Sequence, residues 1–205
     1  MDTVAIIDFE TTGLSPDMGD RATEVAAVIV ANGRIVDRYQ SLMNARVRVP
    51  AFIESLTGIT NAMVRAAPPA ARVMTDLAEF IGDVPLVAHN ASFDRKFLDA
   101  EWSRISLQRK QEFACSMLLA RRIYPAAPSH KLGLLVDHLN LPSAARHHRA
   151  LADAEMTAHL WLRMLSDLRQ QHGMSAIPHE FLRTLQKVPK SQTSDYINQY
   201  TNYRM

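Results

Sequence analysis

The stretch VAIIDFETTG, Val4 to Gly13, runs from an apolar, β-branched segment into two carboxylates separated by one phenylalanine. The nearly continuous apolar run from Val4 to Phe9 is the pattern of a strand covered on both faces, so it reads as the central strand of a sheet. Side chains two apart on a strand point the same way, which aims Asp8 and Glu10 at one spot and Phe9 at the opposite face. Two like charges in one place cost free energy unless a cation lies between them. If the rest of the chain brings further carboxylates to that spot, the stretch is part of a metal site.

Working outward, Glu24 to Val30 and Arg34 to Leu42 are two more strand-like runs. Asn32-Gly33 joins them, a dipeptide that tolerates the positive φ angles of a tight hairpin. Together with the first strand they predict an antiparallel sheet. Beyond Pro50 the period changes, and short helices are expected over Ala51 to Leu56 and Asn61 to Ala66, around Thr57-Gly58, then a longer one over Ala70 to Ile81. Strands over Pro85 to Ala88 and Glu112 to Cys115 alternate with helices over Ser92 to Trp102, Met117 to Ile123 and Lys131 to Leu139. The last strong element runs from about Arg149 to Leu168, with Leu151, Ala154, Ala158, Leu162 and Leu165 as an apolar stripe. A hairpin followed by strand–helix alternation implies an α/β layer fold with a mixed sheet.

The chain has 205 residues and 47% hydrophobic content, enough for one domain with a proper core. The expected division is a main domain over 1–170 and a C-terminal extension over 171–205. After Gly173 the chain passes Ile177-Pro178 and a helix-like stretch near Glu180 to Gln186, then a polar run, KSQTSDYINQYTNYRM. That run has too little apolar content for a core of its own. It lies on the domain, meets a partner, or is disordered. A formal charge of +2 excludes a global basic field, so any nucleic-acid contact must be local. Candidate patches are Arg46/Arg48, Arg104 with Arg109-Lys110, Arg121-Arg122 and His147-His148-Arg149, each also readable as a solvated face. Cys115 is the only cysteine, which rules out an intrachain disulfide or a thiolate zinc cage, and it reads as a small core residue. No stretch approaches the roughly 18 apolar residues of a membrane span and Met1-Asp2-Thr3 lacks a basic start, so the cytoplasm is the expected compartment.

Two further segments carry carboxylates at element edges. In VAHNASFD, Val87 to Asp94, a short strand ends in His89-Asn90, and Ser92 could cap a helix whose first turn holds Asp94. The helix dipole alone also favours an acid there. In HHRALADA, His147 to Ala154, His148 and Asp153 would lie roughly 140° apart if both were helical, because five residues advance about 100° each. They converge only if the helix starts near Arg149, leaving His148 on the preceding loop. Asp8, Glu10, Asp94 and Asp153 together offer oxygen-only ligands, which suit Mg²⁺ or Mn²⁺ rather than zinc. Two divalent ions would cancel the four charges, the form of a two-metal phosphoryl-transfer site. His148, with an ordinary pKa near 6.5, is a reasonable general base for the attacking water.

Three segments taken in order, Asp8-Phe9-Glu10-Thr11-Thr12-Gly13, His89-Asn90-Ala91-Ser92-Phe93-Asp94 and His148-Arg149-Ala150-Leu151-Ala152-Asp153, resemble the three exonuclease motifs of the DEDDh family. The resemblance is to its DnaQ-like branch, which includes the proofreading epsilon subunit of bacterial replicative DNA polymerase. LTGIT, Leu56 to Thr60, with Met63-Val64 and Pro68, and CSMLLARRIYP, Cys115 to Pro125, with His130-Lys131-Leu132, also resemble that branch. The resemblance covers about residues 3 to 165. It implies a ribonuclease-H-like fold, a mixed five-stranded sheet with an antiparallel hairpin and flanking helices. It also implies 3′-to-5′ hydrolysis of single-stranded DNA ends to nucleoside 5′-monophosphates with two Mg²⁺, for which Mn²⁺ can substitute, in proofreading or repair. By analogy Asp8 would bridge both metals, Glu10 and Asp153 would bind the catalytic-side ion, Asp94 would hold the other partly through water, and His148 would deprotonate the nucleophile. His147 does not keep the five-residue spacing to Asp153.

The same analogy puts the main chain around Thr11, Thr12 and Gly13 at the terminal 3′-hydroxyl, and Leu14 and Leu56 as wedges against terminal bases. It puts His89, Asn90 and Phe93 along the strand. Apolar wedges accept any base, so cleavage would be independent of sequence. Ordinary core packing is the competing reading for Leu14, Leu56 and Phe93. A 3′-to-5′ exoribonuclease of the oligoribonuclease or RNase T type shares the carboxylates and the histidine, and Thr11-Thr12-Gly13-Leu14 leans only weakly towards DNA. A non-catalytic polymerase-associated subunit would be marked by loss of a carboxylate, and all four are present. Single-stranded 3′ ends are the expected partners, DNA polymerase subunits and a homodimer are compatible ones, and no membrane is expected.

Overall fold

The structure, a computed structural model, describes residues 3–143 and 149–202. In chain order the elements are β1 (Val4–Thr11), β2 (Ala22–Ala31), β3 (Arg34–Leu42), α1 (Ala51–Thr57), α2 (Asn61–Ala66), α3 (Ala70–Ile81), β4 (Leu86–Ala88), α4 (Ala91–Ser103), β5 (Phe113–Cys115), α5 (Ser116–Ile123), α6 (Leu132–His138), α7 (Ala150–His172), α8 (His179–Leu185) and α9 (Thr193–Asn202). The strands form one mixed five-stranded sheet in the order β3-β2-β1-β4-β5. The expected α/β fold with its antiparallel hairpin is what forms: β1, β2 and β3 pair antiparallel, while β4 and β5 run parallel to β1. Asn32 and Gly33 both take positive φ, 52° and 76°, which lets two residues close the β2–β3 turn.

β1 is central because both of its faces are apolar. Val4 and Ile6 join a core cluster with Ala154, Ala158, Trp161 and Leu165 of α7. Ala5, Ile7 and Phe9 join a second cluster with Val73 and Leu77 of α3 and Phe97 and Leu98 of α4. The alanines of α7 let that helix lie close on the sheet. The stripe predicted for it is shifted: Leu151 and Leu162 are half-buried at its margins, and the deeply buried line continues through Trp161, Met164 and Leu168. β3 is an edge strand whose Arg34, Asp37 and Arg38 are exposed, charges that discourage further pairing. A third, small cluster of Val49, Ile53, Ile59 and Val64 holds α1 and α2 together.

The C-terminal segment lies on the domain. Met174, Ile177, Phe181, Leu182, Leu185 and Ile197 complete the α7-side core, and Phe181 is sandwiched by Tyr196 and Tyr200 at 5.7 and 4.3 Å between ring centroids. Polar ties bind it as well: the Cys115 amide donates to the Gln186 side chain at 2.6 Å, and Arg122 donates to the Val188 carbonyl at 2.9 Å. α9 was not evident in the sequence, because KSQTSDYINQYTN carries only Tyr196, Ile197 and Tyr200 as apolar anchors. Those three suffice because the α7–α8 surface already exists. Among the described residues no helix is long and apolar enough to cross a membrane.

If the segment after Gly173 is integral to the core, Phe181→Ala should cost about 3–5 kcal/mol, the range for deleting a buried aromatic. Urea denaturation of the two proteins measures this, and a loss below about 1 kcal/mol would mean the segment is a dispensable cover.

Candidate active site and metal centre

The period of β1 puts Asp8 and Glu10 on the face that Val4 and Ile6 share, the face on which α7 packs. α7 begins at Ala150 with Arg149 as its N-cap residue, so Asp153 stands in the first turn, its amide donating to the Arg149 carbonyl at 3.1 Å. This is the helix start that convergence required. Carboxylate oxygens of Asp8, Glu10 and Asp153 all lie within 4.8 Å of one another. The fourth acid arrives from the other face. β1 outruns β4, whose pairing ends at Ile6, and Asp94 in the first turn of α4 accepts the Phe9 amide at 3.2 Å. Asn90, not Ser92, occupies the N-cap of α4, in the left-handed region at φ 74°.

Crowding shapes the electrostatics. Desolvation, then the charges of Asp94, Asp153, Glu10 and Glu24, push the Asp8 carboxyl well above its ordinary value. Desolvation followed by Asp153 and Glu24 raises Glu10 to about 8, with Arg149 opposing. Asp94 is raised to about 7 by its burial, against two amide hydrogen bonds that favour its anion. A donor set of oxygens alone, so close together and so reluctant to ionise together, fits hard divalent cations. Asp8, Glu10 and Asp153 would hold such an ion directly, with Asp94 beside them.

A residue that sequence reasoning missed anchors this cluster. Glu24 of β2 lies directly opposite Glu10 and is fully buried. Its carboxylate accepts from the Arg149 guanidinium at 2.7 and 3.1 Å, the Ala150 amide at 3.0 Å and the Gln40 side chain at 2.8 Å. It therefore fixes the start of α7 and, with it, Asp153. The signal was a lone acid inside the apolar run ATEVAAVIVA.

The cluster opens into a cavity of about 390 Å³ whose lining includes Gly13, Leu14, Phe52, Leu56, His89 and Phe93. Leu14, Phe52 and Leu56 are 80, 66 and 52% exposed, so core packing is not their role. Phe52 precedes Leu56 by one helical turn, a spacing that could have revealed it. Phe93 lines the cavity and also packs on Phe97, 4.9 Å between ring centroids. His89 is held on both ring nitrogens, by Ser116 Oγ and the His130 carbonyl, each at 2.9 Å. Since a carbonyl only accepts, Nε2 carries the proton, and the Ser116 hydroxyl stands between Nδ1 and the Ala88 carbonyl, 3.3 Å away; burial lowers the pKa of this histidine to about 4.

Asn90 faces a neighbouring pocket instead of this cavity. Thr12 is buried, with its amide donating to the Arg21 carbonyl at 2.9 Å and its hydroxyl accepting the Arg21 amide at 3.0 Å. The main chain of Thr11 and Gly13 remains at the cavity. A Cβ on Gly13 would sit 2.4 Å from the Asp20 carboxylate, so a larger residue there would displace that side chain from the Ser15 amide that it accepts at 3.0 Å. Below this turn, Arg21 pairs with the buried Glu101 through two 2.7 Å contacts. His147 and His148 lie outside the described residues.

Unfolded, these carboxyls ionise near pH 4 or just above. Folded without metal, Glu10 and Asp94 keep protons to about 8 and about 7. The folded state thus binds more protons between those limits, and its stability is fully present below about pH 4 and lost as pH rises through 7 to 8. A cation bound by the ionised acids reverses the loss. The gain in Tm on adding Mg²⁺ to protein in EDTA should therefore be larger near pH 9 than near pH 6; an equal or opposite trend would break the link between these carboxylates and the ion.

The sequence of residues 5–161 matches the RNase_T exonuclease family model. The 3′-5′ exonuclease DinG of Bacillus subtilis is 36% identical over 194 residues, which is 93% of this chain. The PolC-type DNA polymerase III of Bacillus subtilis is 38% identical over 172 residues, 83% of this chain. This chain spans 20% and 12% of the length of those two relatives. Among solved structures, Exonuclease X in complex with 5′-overhanging duplex DNA superposes with a TM-score of 0.69 at 30% identity, covering 89% of this chain and 99% of that one. The nuclease domain of 3′hExo, a DEDDh family member bound to rAMP, gives 0.71 at 23% identity over 81% of this chain and 92% of its own, a likeness of fold. Because the family match runs from the central strand through all five strands into the helix that carries Asp153, this chain belongs to the RNase_T exonuclease family, in its DEDDh, DnaQ-like branch with the ribonuclease-H-like fold.

Proposed function

We propose that this chain is a 3′-to-5′ exonuclease that hydrolyses single-stranded DNA ends to nucleoside 5′-monophosphates, in proofreading or repair. The observation that carries this reading is the convergence of Asp8, Glu10 and Asp153 oxygens within 4.8 Å at the floor of a cavity walled by exposed apolar side chains. Two divalent cations, Mg²⁺ or Mn²⁺, held by Asp8, Glu10, Asp94 and Asp153 would supply activation of the attacking water and stabilisation of the leaving oxygen. The chain's own groups do the rest. Asp8, Glu10, Asp94 and Asp153 would hold those ions and so fix the positions of the reacting atoms. His148 takes the proton of the water as its oxygen bonds to phosphorus. The bond from phosphorus to the preceding 3′-oxygen then breaks, the shortened strand keeps that oxygen as its new 3′-hydroxyl after protonation, and the terminal nucleotide leaves as a 5′-monophosphate.

Leu14, Phe52, Leu56 and Phe93 supply apolar surface for terminal bases, and such surface does not distinguish one base from another. The main chain at Thr11 and Gly13 is in reach of the terminal sugar. The polymerase and exonuclease relatives support a role at DNA 3′ ends, acting alone or beside polymerase subunits.

Matched 5′-labelled single-stranded DNA and RNA, incubated with the protein in Mg²⁺, Mn²⁺ or EDTA, test this on a gel. A metal-dependent ladder shortening from the 3′ end, faster on DNA, is the expected result; faster loss of RNA would assign an exoribonuclease, and intact substrate in every metal would overturn nuclease function. Asp8→Ala should remove more than about 100-fold of the rate while the protein stays folded. His148→Ala should cost about 100-fold or more and His147→Ala little, and equal effects would remove His148 from its role.

A further inference from the structure

A second concave surface lies where the segment entering α1 meets α2. Asn44, Arg46, Val47, Arg48, Asn61 and Arg65 line a groove of about 640 Å³. Its frame is built. The Asn44 amide donates to Pro68 at 2.8 Å, its side-chain amide donates to the Arg65 carbonyl at 3.2 Å, and its Oδ1 accepts the Arg46 amide at 3.0 Å, with Arg46 at φ 58°. Asn61 clamps Val49 on both sides, accepting its amide at 2.9 Å and donating to its carbonyl at 2.8 Å. The three guanidinium groups are exposed, and no acid lines the groove. Elsewhere Arg21, Arg38, Arg72, Arg109, Arg149, Arg163 and Arg183 all pair with carboxylates. Among the described residues no such pair involves Arg46, Arg48 or Arg65. Glu54 bonds the frame through Asn61 at 2.7 Å but does not line the groove.

In a chain whose net charge is only +2, three unpaired guanidinium groups in one concavity make a focused positive field. Guanidinium forks match phosphate oxygens. The two surfaces are joined through the chain: Phe52 and Leu56 of α1 line the cavity, the segment entering α1 carries Arg46 and Arg48, and Ile53 packs in the small core with Val49 and Val64. Arg48 stands four residues before Phe52, so their backbones lie within about 14 Å, and a strand with its 3′ end in the cavity has only a few nucleotides to travel. We propose that the arginine groove binds the phosphodiester backbone of the substrate upstream of its 3′ end. This deepens the exonuclease reading and rests on it for where the strand comes from.

Binding is measured by fluorescence anisotropy with labelled oligonucleotides in EDTA, where nothing is cleaved, over a range of salt. The triple variant Arg46→Gln/Arg48→Gln/Arg65→Gln should bind a long single strand on the order of tenfold or more weakly, and its slope of log affinity against log salt should be shallower by about 2. A control variant, Arg34→Gln/Lys187→Gln/Lys190→Gln, removes the same charge from exposed sites elsewhere and should bind nearly as the parent does. Hydrolysis of the p-nitrophenyl ester of thymidine 5′-monophosphate, too short to reach the groove, should be unchanged in both variants. A fully single strand and a duplex with a short 3′ overhang show which part of the substrate crosses the groove, by which of the two loses more. Unchanged long-strand affinity in the groove variant, or an equal loss in the control, overturns the proposal. A binding difference that persists when the parent protein cleaves nothing overturns the exonuclease reading instead and leaves a nucleic-acid groove.

Discussion

The rest of this structure depends on holding carboxylates together where they repel. Three of them bring oxygens within 4.8 Å of one another, Asp94 adds a fourth charge beside Asp8, and each of the four stands on a different segment or strand position. Left to itself such a cluster would spread apart. It is held because every member stands on an element whose apolar side is locked: Asp8 and Glu10 on either side of Phe9 in the central strand, Asp94 three residues before Phe97, and Asp153 one residue before Ala154. The free energy of burying those neighbours, roughly 1.5–3 kcal/mol for each large apolar side chain, opposes a repulsion that proton uptake or a cation relieves.

Polar anchors refine what apolar packing holds. Arg149 reaches Glu24 and also lowers the proton affinity of Glu10, so one cation fixes the start of α7 and tempers the charge beside it. Breaking a buried pair of this kind strands the remaining charge, which makes Glu24 as necessary to the geometry as the acids that face the cavity. Arg21 with Glu101 does the same for the turn carrying Thr12 and Gly13, adding a bond to the Ala45 carbonyl at 3.2 Å. Both pairs join segments distant in sequence, and both brace the elements that carry the acidic cluster and the turn beside it.

α1 and α2 are joined to this frame by a small core of their own, yet they shape two surfaces at once: the apolar wall of the cavity and the arginine groove. A compact helical pair of this kind can present different chemistry on its two sides without disturbing the sheet. The α8–α9 segment is the opposite case, committed to the core through Phe181, Leu182 and Leu185.

The apolar run of β1, the Asn32-Gly33 turn and the change of period after Pro50 determined the α/β class and most element positions, because each follows from local backbone chemistry and side-chain pattern. Asp8, Glu10, Asp94 and Asp153 were legible for the same reason: each stands at the edge of an element, where an acid breaks an apolar pattern. What only the tertiary structure decided are contacts between segments far apart in the chain. Glu24 lay unmarked in its strand, since its partner Arg149 is 125 residues away. Thr12 matched its motif but turned from the cavity because the turn claimed its amide and hydroxyl, and Asn90, at the left-handed N-cap of α4, faces the neighbouring pocket. Phe52, Arg65 and α9 acquire their surroundings only when other elements pack beside them, and no local pattern encodes which surface a side chain will meet.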